Sequence, residues 1–146
     1  MKLLKILIFT IVFPNFLWGK IELTKKNNFY CNDGDTCYAY VWYKDLSIPK
    51  IEKLRIIGLD TPEIYRSECA YEKNKGLDAK KLINLKIQNS TNIQLITDYD
   101  RDNFGRILVR LIIDDEDISD LMISNGLGVP YNKKNKFNWC DISKNK

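Results

Sequence analysis

Histidine is absent from all 146 residues. That removes Ser-His and Cys-His nucleophile pairs, imidazole general bases and His-ligated zinc at once. No C-x-x-C spacing occurs among Cys31, Cys37, Cys69 and Cys140. An even cysteine count without metal-ligand spacing favours disulfides over metal in an exported chain. Beyond residue 20 no apolar run approaches the roughly 20 residues a membrane helix needs, so the domain is expected to have no stable membrane association. Charge of either sign is also in short excess: the formal net charge is +4, which permits a polyanionic partner without identifying one. Acid–base and metal chemistry must therefore fall to Asp, Glu, Lys, Tyr and backbone oxygen.

The first nineteen residues differ from the rest. Lys2 and Lys5 make a basic start, residues 3–13 are apolar apart from Lys5 and Thr10, Pro14 breaks the run, and Gly19 offers a small residue for cleavage. Basic, then apolar, then small is the layout of a secretory signal peptide. Residues 1–19 are accordingly read as a signal peptide, and 20–146 as one exported domain with a short C-terminal tail, periplasmic or secreted and monomeric. Removing Lys2 and Lys5 lowers the net charge to +2.

Along the domain, residues 21–32 predict a strand with a polar interruption at 25–28. Asp33-Gly34 predicts a type I′ hairpin turn, with positive φ at both central positions. Residues 36–43 and 51–59 predict the second and third strands, and Thr61-Pro62-Glu63 a helical opening capped by Thr61. From 68 to 87 the period becomes helical, with Tyr71, Asn74, Leu77, the Lys81 stem, Leu82 and Leu85 recurring as the inward face. Gly76 within that helix signals close packing. Residues 91–97 and 106–113 predict strands four and five, 114–117 an acidic turn, and 118–125 a short helix closed by Gly126. The pattern is mainly β with helices (α+β). It suits an OB-fold: a five-stranded barrel with a helix between strands 3 and 4 and a short helix after strand 5.

Three clusters carry chemistry: Asp33-Gly34-Asp35-Thr36, then the run Arg55-Ile56-Ile57-Gly58-Leu59-Asp60-Thr61-Pro62-Glu63, then Asp102-Asn103-Phe104-Gly105-Arg106. Each alone has a bland explanation: a hairpin turn, a helix start, a glycine turn beside a solvated arginine. Together, in this order and spacing over roughly residues 28–131, they resemble the staphylococcal nuclease-like (thermonuclease) family, whose pattern is D-G-D-T, R-x-x-x-x-D-T-P-E and D-x-[YF]-G-R.

The resemblance implies a calcium-dependent nuclease acting on DNA and/or RNA and leaving 3′-phosphates. Asp35, Asp60 and the Thr61 carbonyl would be the Ca2+ ligands, with Asp33 supporting them. Glu63 would orient or deprotonate the attacking water, and Arg55 and Arg106 would clamp the scissile phosphate. Calcium takes oxygen ligands in irregular geometry, and planar guanidinium groups match the oxygens of a phosphorane. Asn103 and Phe104 depart from the lysine and tyrosine of the best-known members, so Phe104 is expected to stack on a base. Tyr131 is the second candidate substrate contact, although Gly128-Val129-Pro130-Tyr131 departs from the family's tyrosine-rich segment. The alternative reading is a catalytically inactive OB-fold nucleic-acid-binding module. A structural envelope domain would leave Asp35, Arg55, Asp60, Glu63 and Arg106 unexplained.

Tyr38, Tyr40, Trp42, Tyr43 and Trp139 are read as core and edge filling rather than as a stacking surface. Cys31 and Cys37 flank the hairpin turn and are expected to pair. Cys69–Cys140 would then pin the tail, which otherwise runs over the surface from Tyr131, to the start of the long helix.

Overall fold

The computed structural model describes residues 19–21, 29–41 and 46–142. The signal-peptide reading of 1–19, apart from the backbone of Gly19, lies outside the described residues, as do Trp42 and Tyr43. A mixed sheet runs in the order β1 (Gly19–Ile21), β6 (Ile93–Thr97), β7 (Ile107–Ile113), β4 (Lys50–Ile56), β3 (Thr36–Val41), β2 (Phe29–Cys31). A short β8 (Glu116–Asp117) adds to β7. β4 and β7 pair in parallel, Leu54 opposite Ile107 and Arg55 opposite Leu108, and the other pairings are antiparallel. The first expected strand is thus divided: its beginning pairs with β6 at one end of the sheet and its end with β3 at the other. The mixed sheet curls into a half-barrel, with β1 and β2 at the two ends of its strand order.

Burial alternates along β7, although six of its seven residues are apolar, because successive side chains leave opposite faces of a strand. Ile107, Val109, Leu111 and Ile113 of β7 point into the core with Leu54, Ile56 and Leu95. The expected third strand stops at Ile56, and the chain turns through Ile57 and Gly58 (φ 76°). It then forms β5 (Leu59–Asp60), which pairs with β9 (Val129–Pro130) outside the main sheet.

Helix α1 (Ala70–Asn89) lies between the expected third and fourth strands, but its buried face differs from the expected one. Glu72, Gly76, Ala79, Ile83 and Ile87 are buried and Leu82 packs against the core as expected, whereas Leu77 and Leu85 are each 44% exposed. The small Gly76 and Ala79 let the helix backbone approach the chain beneath it, which the larger Leu77 and Lys81 would prevent. A Cβ on Gly76 would lie 2.7 Å from the Pro62 carbonyl oxygen. Close packing at Gly76 is therefore as expected.

Asn84 of α1 holds the outer edge of β2: its Oδ1 accepts from the Cys31 N–H (3.0 Å) and its Nδ2 donates to the Cys31 carbonyl (2.9 Å). Helix α2 (Ile118–Ser124) begins at Asp117, whose carboxylate accepts the Ser119 N–H, and ends at Gly126 with φ 65°, as expected. A third helix, α3 (Trp139–Ile142), was not expected. It buries Trp139, edge-on to Phe137 with ring centres 4.9 Å apart. The tail thus docks on the domain instead of only crossing its surface. The disulfides are Cys31–Cys37 and Cys69–Cys140, as expected.

Candidate active site

The Asp33-Gly34-Asp35-Thr36 turn is not type I′. Neither Asp33 nor Gly34 has positive φ, and the two-residue positive-φ turn falls instead at Asp114 (48°) and Asp115 (65°). The Asp33 carboxylate folds the loop by accepting the N–H groups of Asp35 (3.2 Å) and Thr36 (2.7 Å), an Asx turn. Gly34 is required for space: a Cβ there would meet Thr61 Cγ2 at 2.6 Å and the Ala79 Cβ at 2.9 Å. The loop therefore seats directly on Thr61 and α1.

That seat presents Asp35 to the next strand. Its Oδ2 accepts both the N–H and the hydroxyl of Thr61, each at 3.0 Å. Its Oδ1 accepts the Arg55 guanidinium at 2.6 Å and the Thr36 hydroxyl at 3.1 Å. Thr61 is thus engaged with Asp35 and does not cap a helix. Residues 61–63 belong to no helix or strand, and α1 is capped by Cys69 instead. Arg55, 9% exposed, stands on β4 opposite Thr36 of β3, and its Nη2 reaches Asp60 at 3.7 Å. One guanidinium therefore spans both candidate metal carboxylates.

Arg106 approaches from the adjoining β7 end. Asp102 accepts the N–H groups of Phe104 (2.9 Å) and Arg106 (3.0 Å) on Oδ1 and the Arg106 Nε on Oδ2 (2.7 Å). Gly105 supplies the positive φ (75°) that closes this turn. Arg106 Nη1 then reaches the Thr36 hydroxyl at 3.4 Å, so Thr36 links the two arginines. Each guanidinium has an exposed aromatic ring nearby: Tyr131 is 5.7 Å from Arg55 and Phe104 is 5.4 Å from Arg106. Glu63 is exposed at the rim, and its charge is felt at Asp60.

Asp35, Arg55, Asp60, Thr61 and Arg106 are thus gathered at one end of the sheet, with Glu63, Tyr131 and Phe104 around them. Sequence reasoning singled out neither Thr36 and Asp102 as organisers nor Glu72, described below. Thr36 and Asp102 were visible as fixed letters of their motifs, whereas Glu72 had no motif to flag it. A cleft of about 460 Å3 leads away from Asp60 beneath the tail, lined by Val129, Pro130 and residues 132–138 in part.

The electrostatics are those of an undercompensated acidic site. Burial, then the Asp35 charge, holds the Asp60 carboxyl above its ordinary range, against the pull of Arg55 and Lys136. Burial and Asp35 likewise raise Asp33, against the N–H groups it accepts. Asp102 goes the other way: burial alone would raise it, but the Arg106 and Phe104 N–H groups and the Arg106 guanidinium together lower it. No group of three or more Asp, Glu, His or Cys side chains converges on a common point among the described residues. A cation here would rest on Asp35, Asp60, the Thr61 carbonyl and water. That all-oxygen donor set fits a hard divalent ion tolerant of irregular geometry. The raised Asp60 carboxyl fits it too, because a cation would offset the burial and the Asp35 charge that raise it.

The curled sheet, its crossing helix and this charged site define an OB-like α+β domain. Residues 53–143 match the family model described as staphylococcal nuclease homologue, and the chain belongs to that family, a nuclease-like one. The match begins after the Asp33–Thr36 turn, so that turn's likeness rests on the motif alone. A search of curated proteins found no match. No helix among the described residues is long and apolar enough to cross a membrane.

Proposed function

We propose that the protein is an exported, calcium-dependent phosphodiesterase that hydrolyses DNA and/or RNA to 3′-phosphate products. The observation that carries the reading is the single Arg55 guanidinium bridging Asp35 and Asp60, with Arg106 joined to the same cluster through Thr36. Asp35, Asp60 and the Thr61 carbonyl would hold calcium, which supplies Lewis-acid polarisation of a phosphoryl oxygen. Arg55 and Arg106 donate N–H groups to the phosphoryl oxygens as negative charge grows on them. Asp102 fixes the Arg106 fork before substrate arrives, so little ordering entropy is lost on binding. Glu63, exposed at the rim, accepts the proton of the attacking water. Phe104 and Tyr131 offer exposed faces on which bases stack, a contact worth about 1–3 kcal/mol per base. The two disulfides support export, because such bonds persist in oxidising compartments.

The test is cleavage of single-stranded DNA, duplex DNA and RNA by the oxidised domain, with calcium and with chelator. Calcium-dependent cleavage that ends in 3′-phosphates is expected. Retained binding without cleavage of any substrate would favour the inactive binding module, and full activity in chelator would remove the metal assignment.

A further inference from the structure

Glu72 is a carboxylate only 3% exposed, on the third residue of α1, and no motif accounts for it. Its two oxygens face away from the helix, towards the loop that precedes it. Oε2 accepts the Glu68 N–H at 2.7 Å and Oε1 accepts the Glu63 N–H at 3.4 Å. These are the two ends of the 63–68 loop, and its first residue is the candidate base. One turn further along the same helix face, the missing side chain of Gly76 leaves room for the carbonyls of Pro62 and Glu63, which a Cβ would approach to 2.7 and 3.2 Å. The Cys69–Cys140 disulfide begins the same helix, and the Cys140 sulfur lies 4.0 Å from Glu72 Oε2. The first two turns of α1 therefore form a seat for the segment that carries Glu63: an acceptor on one side, a gap on the other, a covalent anchor above.

We propose that Glu72 is a positioning residue for the hydrolytic reaction, holding the backbone of Glu63 in register with Asp60. The inference rests on the reading of Glu63 as the base. A buried carboxylate is costly unless it is hydrogen-bonded, and here its hydrogen bonds go to loop N–H groups rather than to a cation. A carboxylate is acceptor-only, so it can serve both N–H groups at once. A glutamine in its place offers one acceptor oxygen and an amide that opposes the second N–H. Pro62 stiffens the path from Asp60 to Glu63 on the other side, so the base is held from both directions. Freeing one of them lets it drift from the reacting water.

The experiment is a double-mutant cycle between Glu72→Gln and Glu63→Gln, read as kcat and KM with saturating calcium, alongside amide hydrogen exchange. Glu72→Gln alone should lower kcat by about ten- to a hundredfold, the cost of a displacement near 1 Å, with KM unchanged within about twofold. In the Glu63→Gln background the same change should cost less than about twofold, because there is then no base to misplace. Exchange should accelerate at the Glu63 and Glu68 amides while those of Ile83 and Ile87 stay protected; a merely structural role would loosen the helix as well. Gly76→Ala, which pushes on the same carbonyls from the other side, should reproduce the kcat loss and its suppression should Glu72→Gln fold poorly. Equal losses with and without Glu63, or full kcat despite faster loop exchange, would overturn the role of Glu72 alone. Wild-type kcat in Glu63→Gln itself would overturn the role of Glu63, and so is distinguishable.

Discussion

Gly34→Ala tests why the acidic turn is built as it is. The added methyl would sit 2.6 Å from Thr61 Cγ2 and 2.9 Å from both Thr61 Cβ and Ala79 Cβ. Carbon atoms rest comfortably at about 3.5–4.0 Å, so the loop must retreat by about 1 Å or Thr61 and α1 must give way. Neither is a flexible side-chain tip: Thr61 is 5% exposed and Ala79 wholly buried. Overpacking of this kind costs about 1–3 kcal/mol. In a chain of this length each kcal/mol lowers Tm by roughly 2–4 °C. A retreat also lengthens the two 3.0 Å bonds from Thr61 to Asp35. Activity should therefore fall as well, by up to about a hundredfold for a displacement of that size.

Gly58 is the control, because its φ is 76° and nothing lies within 4 Å of its would-be Cβ. Gly58→Ala should cost about 1 kcal/mol through backbone strain alone, with most of that recovered by Gly58→Asn. At Gly34 asparagine should be worse than alanine, since the fault there is volume. Urea unfolding and steady-state cleavage on the four variants decide it. A Gly34→Ala protein within about 0.5 kcal/mol of wild type and fully active, or one improved by asparagine, would refute the reasoning.

Three further outcomes are expected. Asp33 and Asp60 have folded carboxyls raised above their ordinary value of 3.8, so between that value and the raised ones the folded chain binds more protons than the unfolded chain. The stability of calcium-free protein should therefore fall as pH rises through that window. Asp60→Asn should flatten the fall, and urea melts across the acid range that showed no such flattening would contradict it. Arg106→Lys should lower the cleavage rate by about 10³ or more, because lysine cannot bond Asp102, Thr36 and a phosphoryl oxygen in one plane; a loss below about tenfold would show the clamp misassigned. Replacing Cys69 and Cys140 together by serine should cost about 4 kcal/mol by loop entropy for a bridge closing 71 residues of separation, and limited proteolysis should then cut the released tail first.

The parts of the molecule legible in the sequence were those governed by local rules. The β6 and β7 strands fall within the expected runs 91–97 and 106–113, and α2 ends at Gly126 as expected. The disulfides follow from two cysteines flanking a turn and two left over. Failures came where a tertiary contact overrode a local preference. Asp33-Gly34 has hairpin letters, but the loop's shape is set by the Asp33 carboxylate and by the space under Thr61. Thr61-Pro62 reads as a helix start, yet the Thr61 hydroxyl is taken by Asp35. Of the leucines expected on the inner face of α1, Leu82 packs against the core while Leu77 and Leu85 stay exposed, because residue size as well as hydrophobicity decides which side can come close. Here the small Gly76 and Ala79 decide which side comes close. Similarly, residues 21–32 read as one strand, although its polar break at 25–28 lies between the two parts that pair at opposite ends of the sheet.

The Asn84 amide on the edge of β2 has a consequence for how the protein survives at high concentration. A terminal strand that shows unpaired N–H and C=O groups is a template on which another chain can add. At Cys31 both groups are already taken by a helix side chain that offers one acceptor and one donor, as the next strand would. The ladder ends there because its next rung is imitated by an amide that has no backbone to continue it. Asn84→Leu, isosteric but mute, would reopen that rung and expose the sheet to growth into aggregates at the edge beside the acidic turn.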